Sequence, residues 1–143
     1  PAAMPAPTPG RGAFADSPDS LRLIEEVNTA SKVALNRGGP SDNRVETYAN
    51  DRTNALDVLF ASDTDRFWLL TNPDKPDEAV LIPGLNTKSK WGQFKTATPD
   101  HPLAHHFDLV PGDRFVIERA ATVRRDTSGQ WVLVEKGRVG GVS

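Results

Sequence analysis

From residue 44 onward the chain is a series of short apolar or alternating runs, each closed by Asp, Asn, Gly, Ser or Pro. The runs are RVETYA (44–49), LDVLFA (56–61), RFWLL (66–70), AVLI (79–82), RFVIERAATV (114–123) and QWVLVEKGRV (130–139). A helix needs periodic apolar positions sustained over about ten residues, whereas strands need only four to eight. Frequent short strands between turn residues predict a small barrel or sandwich. The segments 79–84 and 107–112 end in IPG and VPG. There proline stops a ladder and glycine admits the turn.

One stretch has helical character. In SPDSLRLIEEVNTASKVAL, Ser17 is placed to cap, Pro18 suits the first helical position, and Asp19 lies at the positive helix end. Leu21, Ile24, Val27 and Ser31 share a face with Leu23, Ala30 and Ala34 alongside, which predicts an amphipathic helix packed on a sheet. The glycines and proline of NRGGPSDN end it. Ahead of the helix, five prolines fall in the first eighteen residues, mixed with Ala and Gly. Such a segment buries too little surface to offset its ordering entropy, so residues 1–16 are expected to be a linker. A start at Pro1 rather than Met suggests an excised piece or a processed product, and the linker suggests that the folded part hangs from a larger protein. The expected architecture is one domain over 17–143, mainly β: a small, mostly antiparallel, partly open barrel with one N-terminal α-helix.

Two segments match without a gap: DTDRFWLL (63–70) and DTSGQWVL (126–133). Each follows a strand-like run, so each is expected to be a hairpin with an Asp-Thr turn and a tryptophan on its second strand. Alternation pairs Trp68 with Leu70 on one face and Phe67 with Leu69 on the other. Trp68 is therefore either a core residue or an outward-facing groove wall. The same ambiguity holds for Trp131, which shares a face with Leu133 and Glu135.

The order Tyr48, Trp68, LIPGLN (81–86) resembles an SH3-type barrel over about 45–87. The resemblance implies an aromatic groove for proline-rich peptides, with Tyr48, Trp68 and Pro83 as walls. Asp57, Asp63 and Asp65 beside it would favour a basic ligand. The pattern departs from that family in lacking an ALYDY-like motif and the final tyrosine, since Thr87 follows Asn86. A second likeness runs through LIEEVN, VET, FWLL, LIPG, AATV and QWVLVEKGRV. It is similar to uncharacterised C-terminal domains of cyanobacterial and other bacterial multidomain proteins, and implies an appended, non-catalytic module.

Composition narrows the function classes. The formal charge of −2 argues against a basic footprint over the whole domain. With no cysteine, disulfides and thiolate metal sites are excluded. No apolar run approaches the length of a membrane-spanning helix. Nucleophile elbows and phosphate loops are missing, and the paired carboxylates of IEEV and PDKPDEA sit where burial would not raise a pKa. No cofactor and no catalytic residue is expected. His101, His105 and His106, with Asp100 or Asp108, offer metal-ligand chemistry on a proline-flanked loop, although solvated loop histidines, some partly packed, are the expectation. If the three titrated together, binding would respond to pH between about 5 and 8.

The basic segment NTKSKWGQFKTATP (86–99) places Lys88, Lys90 and Lys95 around Trp91 and Phe94. Lysines on phosphates with aromatics under bases is how small barrels hold single-stranded nucleic acid. The leading expectation is binding of a protein or peptide partner, or of another domain of the parent chain. Single-strand nucleic-acid binding through Lys88, Lys90, Trp91 and Lys95 is the alternative.

Overall fold

The computed structural model describes residues 14–31, 40–51, 55–98 and 101–142. The expected linker lies largely outside these residues. Its last three, Phe14–Asp16, form a 3-10 turn whose Ala15 is buried.

Helix α1 spans Pro18–Asn28, with Ser17 as N-cap and Pro18 in its first turn. The Ser17 hydroxyl oxygen accepts from the Ser20 amide at 3.2 Å. Its buried face is Ser20, Leu23, Ile24 and Val27, an i, i+3, i+4, i+7 stripe. Leu21, expected on that face, is 54% exposed. The helix ends at Asn28 with Thr29 as its C-cap. Of the longer helix expected, 32–35 lie outside the described residues.

Among the described residues there are nine strands: β1 Glu46–Asp51, β2 Ala55–Ala61, β3 Phe67–Asn72, β4 Lys75–Pro83, β5 Phe107–Pro111, β6 Val116–Arg119, β7 Ala121–Arg125, β8 Trp131–Glu135 and β9 Gly137–Val142. Two short helices, α2 Leu85–Ser89 and α3 Trp91–Phe94, lie between β4 and β5. Six strands form an antiparallel sheet in the order β2-β1-β3-β4-β7-β8, and three form a second sheet, β5-β9-β6. The fold is mainly β, a curled half-barrel with one N-terminal helix. Within the second sheet β5 runs parallel to β9.

Only one of the two matched Asp-Thr segments is a hairpin. β7 and β8 pair across the 126–130 turn, where Asp126 Oδ1 accepts from the amides of Ser128 and Gln130 and Gly129 has φ +87°. β3, in contrast, pairs with β1 and β4 and not with the preceding β2. The Asp-Thr turn at 63–64 therefore carries the chain past β1 to its far side. The charged stretch between Trp68 and Pro83 is mostly strand: β3 and β4 are joined by a tight turn at Pro73–Asp74, with Asn72 Oδ1 accepting from the Asp74 amide at 3.0 Å.

Phe67 to Leu70 and Ala79 to Pro83 are buried on both faces. That accounts for runs of apolar residues without alternation in a central strand pair. Cross-strand partners share a face, and the ladders place Tyr48, Phe67 and Pro83 on one side and Thr47, Trp68 and Ile82 on the other. The Trp131 indole donates to the Tyr48 hydroxyl at 3.2 Å, and the Gln130 side chain donates to the Leu59 carbonyl at 3.3 Å. The sheet therefore curls until β8 meets β1 and β2, with the Tyr48 face concave. Along β8, Trp131 points in while Val132 and Val134 are each 46% exposed.

The two sheets are joined through continuous chain. β6 turns at Ala120 into β7, and β8 turns at Lys136 into β9, so one antiparallel ribbon starts in one sheet and ends in the other. Gly137 sits at the crossing, where a Cβ would lie 2.7 Å from the Ala121 amide nitrogen. Only the absence of a side chain lets the strands pass this closely.

Candidate functional site

The residues named by the SH3 resemblance do not form a groove. Trp68 is fully buried, and strand alternation sends it to the face opposite Tyr48 and Pro83. Its indole donates to the buried Asp65 carboxylate at 2.9 Å, which satisfies a polar group that burial would otherwise leave costly. Pro83 is buried at the end of β4, and half-buried Tyr48 reaches inward to Trp131. Asp57 and Asp63 are exposed. The tryptophan question is thus decided for the core in both strands.

His101 and His106 are buried, whereas His105 is partly exposed. His101 is 2% exposed; its Nδ1 accepts from the Leu103 amide at 3.0 Å and its Nε2 faces the Phe94 carbonyl. Both nitrogens are thereby committed to the backbone. His106 is fully buried, edge-on to Phe67, with neither ring nitrogen hydrogen-bonded. Burial, with the neighbouring His105 adding to it, pushes its pKa down to about 3, which removes it from the range between pH 5 and 8. No group of three or more His, Asp or Glu among the described residues is placed to hold a metal ion. Asp100 lies outside the described residues.

The lysine–tryptophan segment does build a surface site, though not by lining up its lysines. Trp91 and Phe94 drop into the core as helix α3, with Trp91 8% exposed. The Trp91 indole donates to the Gly141 carbonyl at 3.0 Å, and its ring meets Phe115 edge-on at 4.8 Å. The ring is a groove floor rather than an open stacking platform. Lys88 turns to the C-terminus of α1, donating to the carbonyls of Val27 at 2.7 Å and Asn28 at 2.8 Å. These carbonyls lie in the last turn, where the Val27 oxygen takes a tight-turn bond from the Ala30 amide at 3.2 Å, and they carry the negative end of the helix dipole, which the ammonium meets. Partial burial draws the Lys88 pKa below its ordinary value. Lys90 is exposed and does not join the groove.

What results is a groove of about 820 Å³ between three stretches of chain. Asn28 and Thr29 form one end, Lys88, Trp91, Gly92 and Lys95 one wall, and Asp113 to Val116 the other. Asn28 is the clamp beneath it: its side chain donates to the Ile117 carbonyl at 3.0 Å and accepts from the Ile117 amide at 2.8 Å. It thus pairs with the open edge of β6 as a neighbouring strand would. Gly92 faces open space, with nothing within 4 Å of where a Cβ would sit. Sequence reasoning named Lys88, Trp91 and Lys95 but missed Asn28 and Asp113 to Val116. Only the tertiary fold brings those to the same place, and no local pattern marks them.

A second cleft, of about 610 Å³, lies where the ribbon crosses between sheets and is ionic, with Asp108, Glu118 and Glu135 set against Arg119, Lys136 and Arg138. Its charges are balanced within the cleft, and Arg119 meets Glu135 at 3.4 Å. The first groove differs in its aromatic floor of Trp91 and Phe115. Comparison with known proteins returns no matching family model, no matching curated protein and no matching solved structure.

Proposed function

We propose that this protein is a non-catalytic interaction module that binds a peptide segment of a protein partner in the groove over Trp91 and Phe115. The observation that carries this reading is the groove itself, a concave site with an apolar floor of Trp91, Phe115 and Val116 and a few convergent polar groups. Sites of that composition suit an anchoring side chain with flanking backbone. The polar groups at hand are committed to structure: Lys88 to α1, Asn28 to β6 and the Trp91 indole to Gly141. None is paired as nucleophile and base.

Gly92 supplies the test, because it lines the groove and nothing lies within 4 Å of where its Cβ would sit. A random-peptide display selection on the wild-type domain is expected to enrich clones that fail to bind Gly92→Phe, while the variant melts within a few degrees of wild type. Clones that bind both proteins equally, or no enrichment at all, would remove the reading.

A further inference from the structure

We infer that the groove holds its peptide as an extended strand, paired through the backbone to the free edge of β6 at Phe115; this rests on the peptide-binding reading above. β6 is an edge of its sheet, joined on one side to β9. Its other side is met at Ile117 by the Asn28 side chain, which accepts from the Ile117 amide and donates to the Ile117 carbonyl. Both backbone groups of Ile117 therefore point away from β9. Alternate residues of an antiparallel strand direct these groups to the same side. Phe115 and Ile117 are buried and Val116 between them is exposed, so the alternation runs on through residue 115. The amide and carbonyl of Phe115 thus face the same way as those of Ile117, on the wall of the groove. No described residue hydrogen-bonds to either group.

The surroundings suit an extended peptide. Open backbone groups beside an apolar floor are how sheet edges take up such segments, the ladder giving affinity and the side-chain pocket specificity. The Trp91 and Phe115 rings, edge-on at 4.8 Å, form the floor for one side chain. On the opposite wall Gly92 has nothing within 4 Å of where a Cβ would sit, which leaves room for a second backbone. Asn28 fills the next position along the edge and closes that end of the groove. The added ladder is therefore short, and the side chain on the floor sets its register. A second copy of the chain fits less well. A stable dimer needs about 800 Å² of matching surface on each partner. Of the exposed large apolar side chains among the described residues, only Val116 lines the groove.

The experiment takes a peptide from the display selection above that binds wild type and fails on Gly92→Phe, and resynthesises it with one backbone amide N-methylated at a time. In either strand direction one peptide N–H donates to the Phe115 carbonyl. N-methylation is thus expected to weaken binding about tenfold at one position, or at alternate positions, with the positions between nearly unchanged. Hydrogen exchange at the Phe115 amide should slow when the peptide saturates the protein, while Val116, already laddered to Gly140, should not change. Losses at no position or at runs of consecutive positions, or unchanged exchange at Phe115, overturn the extended mode while leaving a peptide groove in place. A selection that yields no peptide sensitive to Gly92→Phe overturns both readings. Self-association of the protein in sedimentation velocity, lost in Gly92→Phe, overturns the inference in favour of a second copy.

Discussion

His106 shows how one side chain sets a property of the whole chain. In the unfolded protein its imidazole titrates near its ordinary value of 6.5, whereas in the fold the pKa falls to about 3. The unfolded state therefore binds the extra proton between these values, and stability is expected to be complete above about pH 6.5 and to fall as the pH drops towards 3. Since neither ring nitrogen has a partner, His106→Phe removes no hydrogen bond. Urea midpoints measured across this range should fall less steeply with acid in the variant; parallel curves would assign the acid sensitivity to carboxylates. Gly84 is the sharper constraint, because a Cβ there would sit 2.8 Å from the Trp68 ring and against the Asp65 backbone. Gly84→Ala is expected to cost about 2–3 kcal/mol through forced displacement of a packed core side chain, measured by urea denaturation. Neither role is legible in the sequence. His106 sits in a polar-looking HH pair and Gly84 in an ordinary PG turn, and what matters for each is a neighbour distant along the chain.

At the scale of elements, legibility followed how local the determinants were. The N-terminus of α1 is written in Ser17, Pro18 and Asp19, and the structure keeps it. The C-terminus depends on Lys88, some sixty residues away, and the expected helix ran past it. The β7–β8 hairpin was readable from its Asp126 turn, although Ser128 and Gln130 rather than Thr127 donate to that carboxylate, whereas the like-looking turn before β3 leads to a strand that pairs elsewhere. A turn motif specifies a change of direction and leaves open which edge receives the strand. The helix docking can be tested directly. Lys88→Met should cost about 1 kcal/mol by loss of the cation at the helix end, and Asn28→Ala about 1–3 kcal/mol because it strands both backbone groups of Ile117. Amide exchange should quicken in α1 for the first variant and at Ile117 for the second. Protection unchanged at Ile117 would show that the Asn28 clamp is dispensable.

Across the whole molecule, Ala15 from the 3-10 turn, Val27 from α1, Trp68 and Ile82 from the large sheet and Ile117 and Val139 from the small one belong to a single apolar core. The ribbon that passes between the sheets ties them covalently at Ala120 and Lys136. Unfolding is accordingly expected to be one cooperative transition, with coincident far-ultraviolet dichroism and tryptophan fluorescence; two separated transitions would show the small sheet to be an independent unit. The half-barrel class was visible in the rhythm of short strands. The strand order was not, because alternation within a run says nothing about which distant run lies beside it.

The crossing ribbon also governs how this gene can be cut. The stretch that looks self-sufficient, 45–87, ends just after β4 and leaves Ala79, Val80 and Leu81 without the strand that the chain supplies only at 121–125. Such a fragment exposes a long apolar sheet edge, a template for aggregation. The complementary strand lies in the C-terminal part of the chain, so any cut between β4 and β7 divides one sheet between two pieces, neither of which can complete it without the other.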